Sequence, residues 1–207
     1  MFGAVKILKS MGFAAVLFAG ALVANSASAA EAFMQTGGLT SQPIGHYEFC
    51  KRLPDECSVR SRNVAPAKMT RDFWELIVNV NSRVNQTVKP LTDMEIYGVE
   101  EYWGYPDKVG NVGDCEDYVL EKRRELMQAG ISPADLLITV VRKPDGEGHA
   151  VLTVRTDTGD FVLDNLADGV KNWSETEYTY LKRQATNNTG RWVSIEAPSN
   201  ILVGSVR

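Results

Sequence analysis

Gly113-Asp114-Cys115-Glu116-Asp117-Tyr118 is the stretch on which the reading of this chain turns. Gly110 to Gly113 reads as a loop, and a helical pattern follows from about Cys115 to Ala129. Tyr118, Val119, Leu126, Met127 and Ala129 supply its apolar side, and Gly130 is a natural stop. Asp114 has the chemistry of an N-cap, with an oxygen that could accept from the amide of Asp117. Cys115 therefore falls in the first turn. Unsatisfied amides and about half a positive charge there favour a thiolate.

Downstream, the pattern changes period. Leu136 to Arg142 is a β-branched run, and Pro144-Asp145-Gly146 marks a turn. His149 to Arg155 and Phe161 to Leu166 flank a hairpin signal at Thr156-Asp157-Thr158-Gly159-Asp160. If the four residues Thr156 to Gly159 form the loop, Asp164 lies opposite Val151. It is then one diagonal step, about 7–8 Å of backbone, from His149 on the same face. An odd loop without a bulge would put the two on opposite faces. Cysteine, histidine and aspartate in this order can form a nucleophile, a general base and an orienting carboxylate. The bland alternatives are a satisfied core histidine and a strand-end aspartate.

The flanks are less regular. Thr70 can cap a helix to about Thr87, with Phe73, Trp74, Ile77, Val78 and Val84 at helical spacing. Residues 31–48 read as an irregular arm. Tyr97, Tyr102, Trp103 and Tyr105 suggest core or a cleft wall, and Arg191 to Ile195 suggests one more strand. Helices first and antiparallel strands after indicate an α+β domain.

Residues 1–30 have the layout of a secretory signal peptide: Lys6 and Lys9, an uncharged run from Met11 to Val23, then Ala27-Ser28-Ala29. The alternative is a retained membrane anchor. Cleavage leaves residues 31–207 as one domain, with 20 basic against 26 acidic residues and a net charge of −6. That balance argues against nucleic acid as a partner. An exported chain resides where disulfides persist, so Cys50 and Cys57 are expected to pair, leaving Cys115 free. Zinc at that pair is a poor fit, since only His46 is near and zinc takes four ligands.

Asp114, Glu116 and Asp117 oppose the chemistry, because neighbouring negative charge disfavours a thiolate. Either the helix and His149 outweigh them or a cation neutralises them. Their oxygens suit calcium, but the spacing matches no EF-hand loop.

Together, Glu101-Tyr102-Trp103, Gly113-Asp114-Cys115-Glu116-Asp117-Tyr118, Gly148-His149-Ala150-Val151-Leu152 and Val162-Leu163-Asp164-Asn165-Leu166 resemble the bacterial transglutaminase-like cysteine proteinases, whose LapG-type members are periplasmic. The resemblance spans about residues 46–200. It implies a papain-like, transglutaminase-type fold, with the nucleophile at the N-terminus of a helix packed on an antiparallel sheet. It implies Cys115 as nucleophile, His149 as base then acid, Asp164 as orienting partner, and calcium near Asp114 and Glu116. It further implies a protein substrate such as a large surface adhesin, restraint by an inner-membrane receptor, and a periplasmic location with at most peripheral membrane contact. Acyl transfer to an amine on the same triad and a non-catalytic binding module remain the alternatives. The indole of Trp103 is a candidate oxyanion donor beside the helix-start amides.

Overall fold

The computed structural model describes Met1 and residues 32–196 apart from Asn63. The signal-peptide reading lies outside these residues. In chain order come β1 (Thr36–Thr40), α1 (Ile44–Arg52), α2 (Pro54–Cys57), α3 (Arg71–Thr87), β2 (Lys89–Pro90), α4 (Asp93–Tyr97), β3 (Val112–Gly113) and α5 (Cys115–Gln128). Then follow β4 (Leu136–Arg142), β5 (Gly148–Thr156), β6 (Gly159–Leu163), β7 (Lys171–Asn172), β8 (Thr179–Ala185) and β9 (Asn188–Ile195). Seven strands make one antiparallel sheet in the order β1-β9-β8-β4-β5-β6-β7. A small parallel pair, β2 with β3, delivers the chain to α5.

Helices α3 and α5 pack on one face of the sheet. Phe73, Ile77, Val80 and Val84 recur at helical spacing on α3 and are all buried. They meet Tyr118, Val119 and Leu126 of α5 and Leu136, Ile138, Leu152 and Val154 of the central strands. Each such side chain, removed from water, contributes about 1.5–3 kcal/mol. A smaller cluster covers the opposite face: Met34, Val141, Val151, Val162, Trp173, Tyr180 and Ile195. The central strands are thus buried on both faces, and their polar positions are paired. Thr139 and Thr153 share a hydroxyl hydrogen bond of 2.6 Å, and Arg183 reaches Asp160 at 3.2 Å.

Several expectations from the sequence hold. Thr70 caps α3, accepting from the amide of Phe73 at 3.1 Å. β4 spans the expected run Leu136–Arg142, and Cys50 and Cys57 form a disulfide. Others need correction. The arm over residues 31–48 is not irregular, because it contributes β1 and the start of α1. β8 adds a strand to the one expected at Arg191 to Ile195; Lys182, Arg183 and Gln184 hide its alternation. Asp114 occupies the N-cap position of α5, but its side chain accepts no cap bond. Its oxygens serve the site instead. Among the described residues no helix is long and apolar enough to cross a membrane.

Candidate active site

The hairpin register decides whether the histidine and the aspartate meet. Thr156 pairs with Gly159, Arg155 with Asp160 and Leu152 with Leu163. The loop is thus the two residues Asp157 and Thr158 rather than four, but the parity is unchanged, and the next position sets Val151 against Asp164. His149 at the start of β5 and Asp164 just past the end of β6 therefore reach one another diagonally. Nε2 of His149 lies 2.9 Å from Oδ1 of Asp164, and both side chains are buried. That bond leaves Nδ1 as the ring nitrogen available for other work. Leu166 donates its amide to the same Oδ1 at 3.0 Å, and the Tyr178 hydroxyl donates to Oδ2 at 2.5 Å. Burial pushes the Asp164 carboxyl up, but the bonds from His149, Tyr178 and Leu166 outweigh it and hold the group below its ordinary value.

Cys115 enters from the other layer. It is the first residue of α5, a helix that packs against β5, and it is a free thiol. The backbone amide of Ala150, next to His149 in sequence, faces the sulfur and favours its anion. α5 thus packs on the strand that carries His149. The S–H itself donates to Oε2 of Glu116 at 3.0 Å. Burial pushes the Cys115 thiol well up, and the charge and hydrogen bond of Glu116 add to it. The Ala150 amide pulls in the opposite direction without prevailing. The acids surrounding the nucleophile therefore do oppose thiolate formation.

Those acids form a cluster larger than the sequence suggested. Oxygens of Asp93, Asp114 and Asp117 lie within 4.8 Å of one another, and ligand atoms of Asp114, Cys115 and Glu116 do likewise. Burial, then proximity to Asp114, raises Asp93 to about 6 and Asp117 to about 8; hydrogen bonds from the amides of Tyr102 and Gly104 pull the other way. Oδ1 of Asp93, Oδ1 of Asp114, Oε1 of Glu116 and Oδ2 of Asp117 are buried without a hydrogen-bond partner. Asp114 belongs to both groups, and buried carboxylates that carry orphaned oxygens fit a hard divalent cation. Asp114 and Glu116 were legible as candidates. Asp93 comes from α4, with only a capping box at Thr92 and Glu95 to mark its helix.

The indole of Trp103, the candidate oxyanion donor, is engaged elsewhere in this structure. It is 3 % exposed, and its indole N–H donates to Oε1 of Glu101 at 2.7 Å. The amides of the α5 start remain for that role. His46 stays out of the site: it is buried beside the Cys50–Cys57 disulfide and Trp192, and burial lowers it to about 3.

The family model for the bacterial transglutaminase-like cysteine proteinases (BTLCP) matches residues 36–200. The chain belongs to that family. It is accordingly a cysteine peptidase, and its fold is the transglutaminase-like one. Calcium-bound LapG of Legionella pneumophila superposes with a TM-score of 0.50 at 23 % identity, covering 77 % of this chain and 86 % of that one. EGTA-treated LapG from the same organism gives 0.50 at 22 %, covering 74 % and 79 %. No curated protein sequence matches the chain.

Proposed function

We propose that this proteinase is an exported endopeptidase that works with a Cys115–His149–Asp164 triad. One observation carries the reading: Asp164 holds Nε2 of His149 at 2.9 Å, on the strand against which the helix of Cys115 packs. Nδ1 of His149 then takes the thiol proton, and the sulfur attacks the peptide carbonyl. The amides at the start of α5 receive the developing oxyanion, where preorganised donors have most effect. His149 returns its proton to the leaving amine, and a thioester remains on Cys115. A water deprotonated by His149 resolves it, releasing the acid and restoring the thiol. Asp164 fixes the tautomer and stabilises the imidazolium without itself taking the proton.

Calcium belongs to this proposal as well. Asp114 and Glu116, joined by Asp93 and Asp117, are the residues that would hold it. When bound, its charge would offset the carboxylates that push the thiol up. Calcium-bound LapG of the same fold supports the choice of ion. The sequence layout of residues 1–30 supports export to the periplasm; a surface adhesin as substrate and an inner-membrane receptor as regulator are carried by the family resemblance alone.

The test is a peptide-library digest with purified protein, with and without calcium, read by mass spectrometry. Cleaved peptides that vanish in Cys115→Ala, while the thermal midpoint of that variant is kept, are the expected outcome. Cleavage by Cys115→Ala at the wild-type rate would overturn the mechanism. Glutamine–lysine cross-links in place of cleaved products would move the assignment to acyl transfer.

A further inference from the structure

Asp164 presents two oxygens, and only one of them meets His149. Oδ1 accepts from the imidazole at 2.9 Å and from the Leu166 amide at 3.0 Å. Among the described residues Oδ2 accepts from the Tyr178 hydroxyl alone, at 2.5 Å. The Tyr178 ring also packs on His149, with centroids 5.6 Å apart and planes at 57°. The fold explains why. Val141 of β4 pairs with His149 of β5 on one side and with Tyr180 of β8 on the other. Tyr178, just before β8, therefore emerges at the sheet end that carries His149.

Behind this arrangement lies a cavity of about 480 Å³, lined by Lys143, Asp145, Lys171 and Glu175 as well as by Asp164 and Tyr178. Asp164 and Tyr178 both line that space, and Tyr178 covers Oδ2 with its hydroxyl. Removing its hydroxyl would leave Oδ2 facing the cavity. The carboxylate could then turn, and water could compete for it. Burial and the bond to Asp164 hold the phenol above its ordinary value, so it remains a donor.

We infer that Tyr178 is a positioning residue for the peptidase: it fixes the plane of the Asp164 carboxylate and, through it, the imidazole. This rests on the Cys115–His149–Asp164 reading. Tyr178→Phe keeps the ring on His149 and removes only the donor. With calcium present and a peptide chosen from the library digest, kcat should fall about tenfold to a hundredfold, the weight of one hydrogen bond to a charged group. KM should stay within about twofold, because the hydroxyl touches no substrate atom. In an Asp164→Ala background the same change should alter kcat by less than about twofold, since the group through which it acts is gone. Thermal midpoints confirm that all four proteins fold.

An equal loss of kcat in both backgrounds, or none in either, would overturn the assignment. His149→Ala separates this failure from that of the triad. If His149→Ala cleaves peptide and alkylates Cys115 with iodoacetamide as fast as wild type, the triad falls and Tyr178 with it. If His149→Ala is inactive while Tyr178→Phe matches wild type, only the Tyr178 assignment falls.

Discussion

Replacing Lys122 with methionine should make the protein more stable, and the gain should shrink as pH rises. Lys122 lies on α5 beneath the site with no exposed surface, and its Nζ has no hydrogen-bond partner. The Tyr118 ring lies 5.8 Å away, and the charge of Asp164 attracts the ammonium from a distance. Burial dominates and lowers the group from 10.5 to about 7. A folded value depressed below the unfolded one means that the unfolded chain holds more protons between about pH 7 and 10.5, so wild-type stability rises across that window. At about 1.4 kcal/mol per pH unit, the buried amine costs the folded state about 4 kcal/mol at pH 7 and about 2 kcal/mol at pH 9. Methionine keeps the length of the stem and carries no charge. Lys122→Met should therefore gain about 2–4 kcal/mol at pH 7, with the difference narrowing by about 2 kcal/mol at pH 9. Urea unfolding of both proteins, calcium-loaded and with the disulfide intact, at the two pH values measures it. A variant no more stable than wild type at pH 7, or a difference that ignores pH, would refute the reasoning.

Two further outcomes follow from named contacts. Asp93 and Asp117 hold protons to about 6 and about 8, so calcium must displace them, and affinity should climb between pH 6 and 8. Their folded values are raised, so without calcium their contribution to stability is present at low pH and lost as pH rises through those values. The drop in thermal midpoint caused by a chelator should therefore be larger at pH 8.5 than at pH 6; calorimetric titration with proton-release measurement and melting curves check both parts. Gly45→Ala should destabilise by about 1–3 kcal/mol although alanine is the better helix former. A Cβ there would sit 2.4 Å from both Glu101 Oε1 and Trp103 Nε1, and a raised thermal midpoint would contradict the tight fit.

How much of this was legible depended on whether neighbouring residues carried the signal. The His149–Asp164 contact was readable because a hairpin loop sets parity, and parity sets the face of every later residue. α3 was readable because Phe73, Ile77 and Val84 recur on one helix face, although Trp74 and Val78, read with them, lie off that buried face and Val80 joins it. β8 was not, because buried Arg183 and Gln184 occupy positions where a pattern expects apolar residues; their partners, Asp160 and the carbonyl of Thr189, lie on other strands. α1 was missed for a similar reason, since Gly45 and His46 are its buried residues along with Phe49. Asp93 joins the acidic cluster from 21 positions before Asp114, and Tyr178 reaches Asp164 from 14 positions beyond it. Only the folded sheet and helices bring such pairs together.

The outermost partner of β9 is β1, so Thr40 lies against Trp192 and Thr36 against Ile195. A chain that emerges N-terminus first must keep β1 waiting, unmated, until almost the last residue of the domain is free. Closing a loop that long carries an entropic toll that local contacts do not repay early, which makes assembly of this edge late and slow. A molecule interrupted short of β9 would therefore present an open strand to its neighbours.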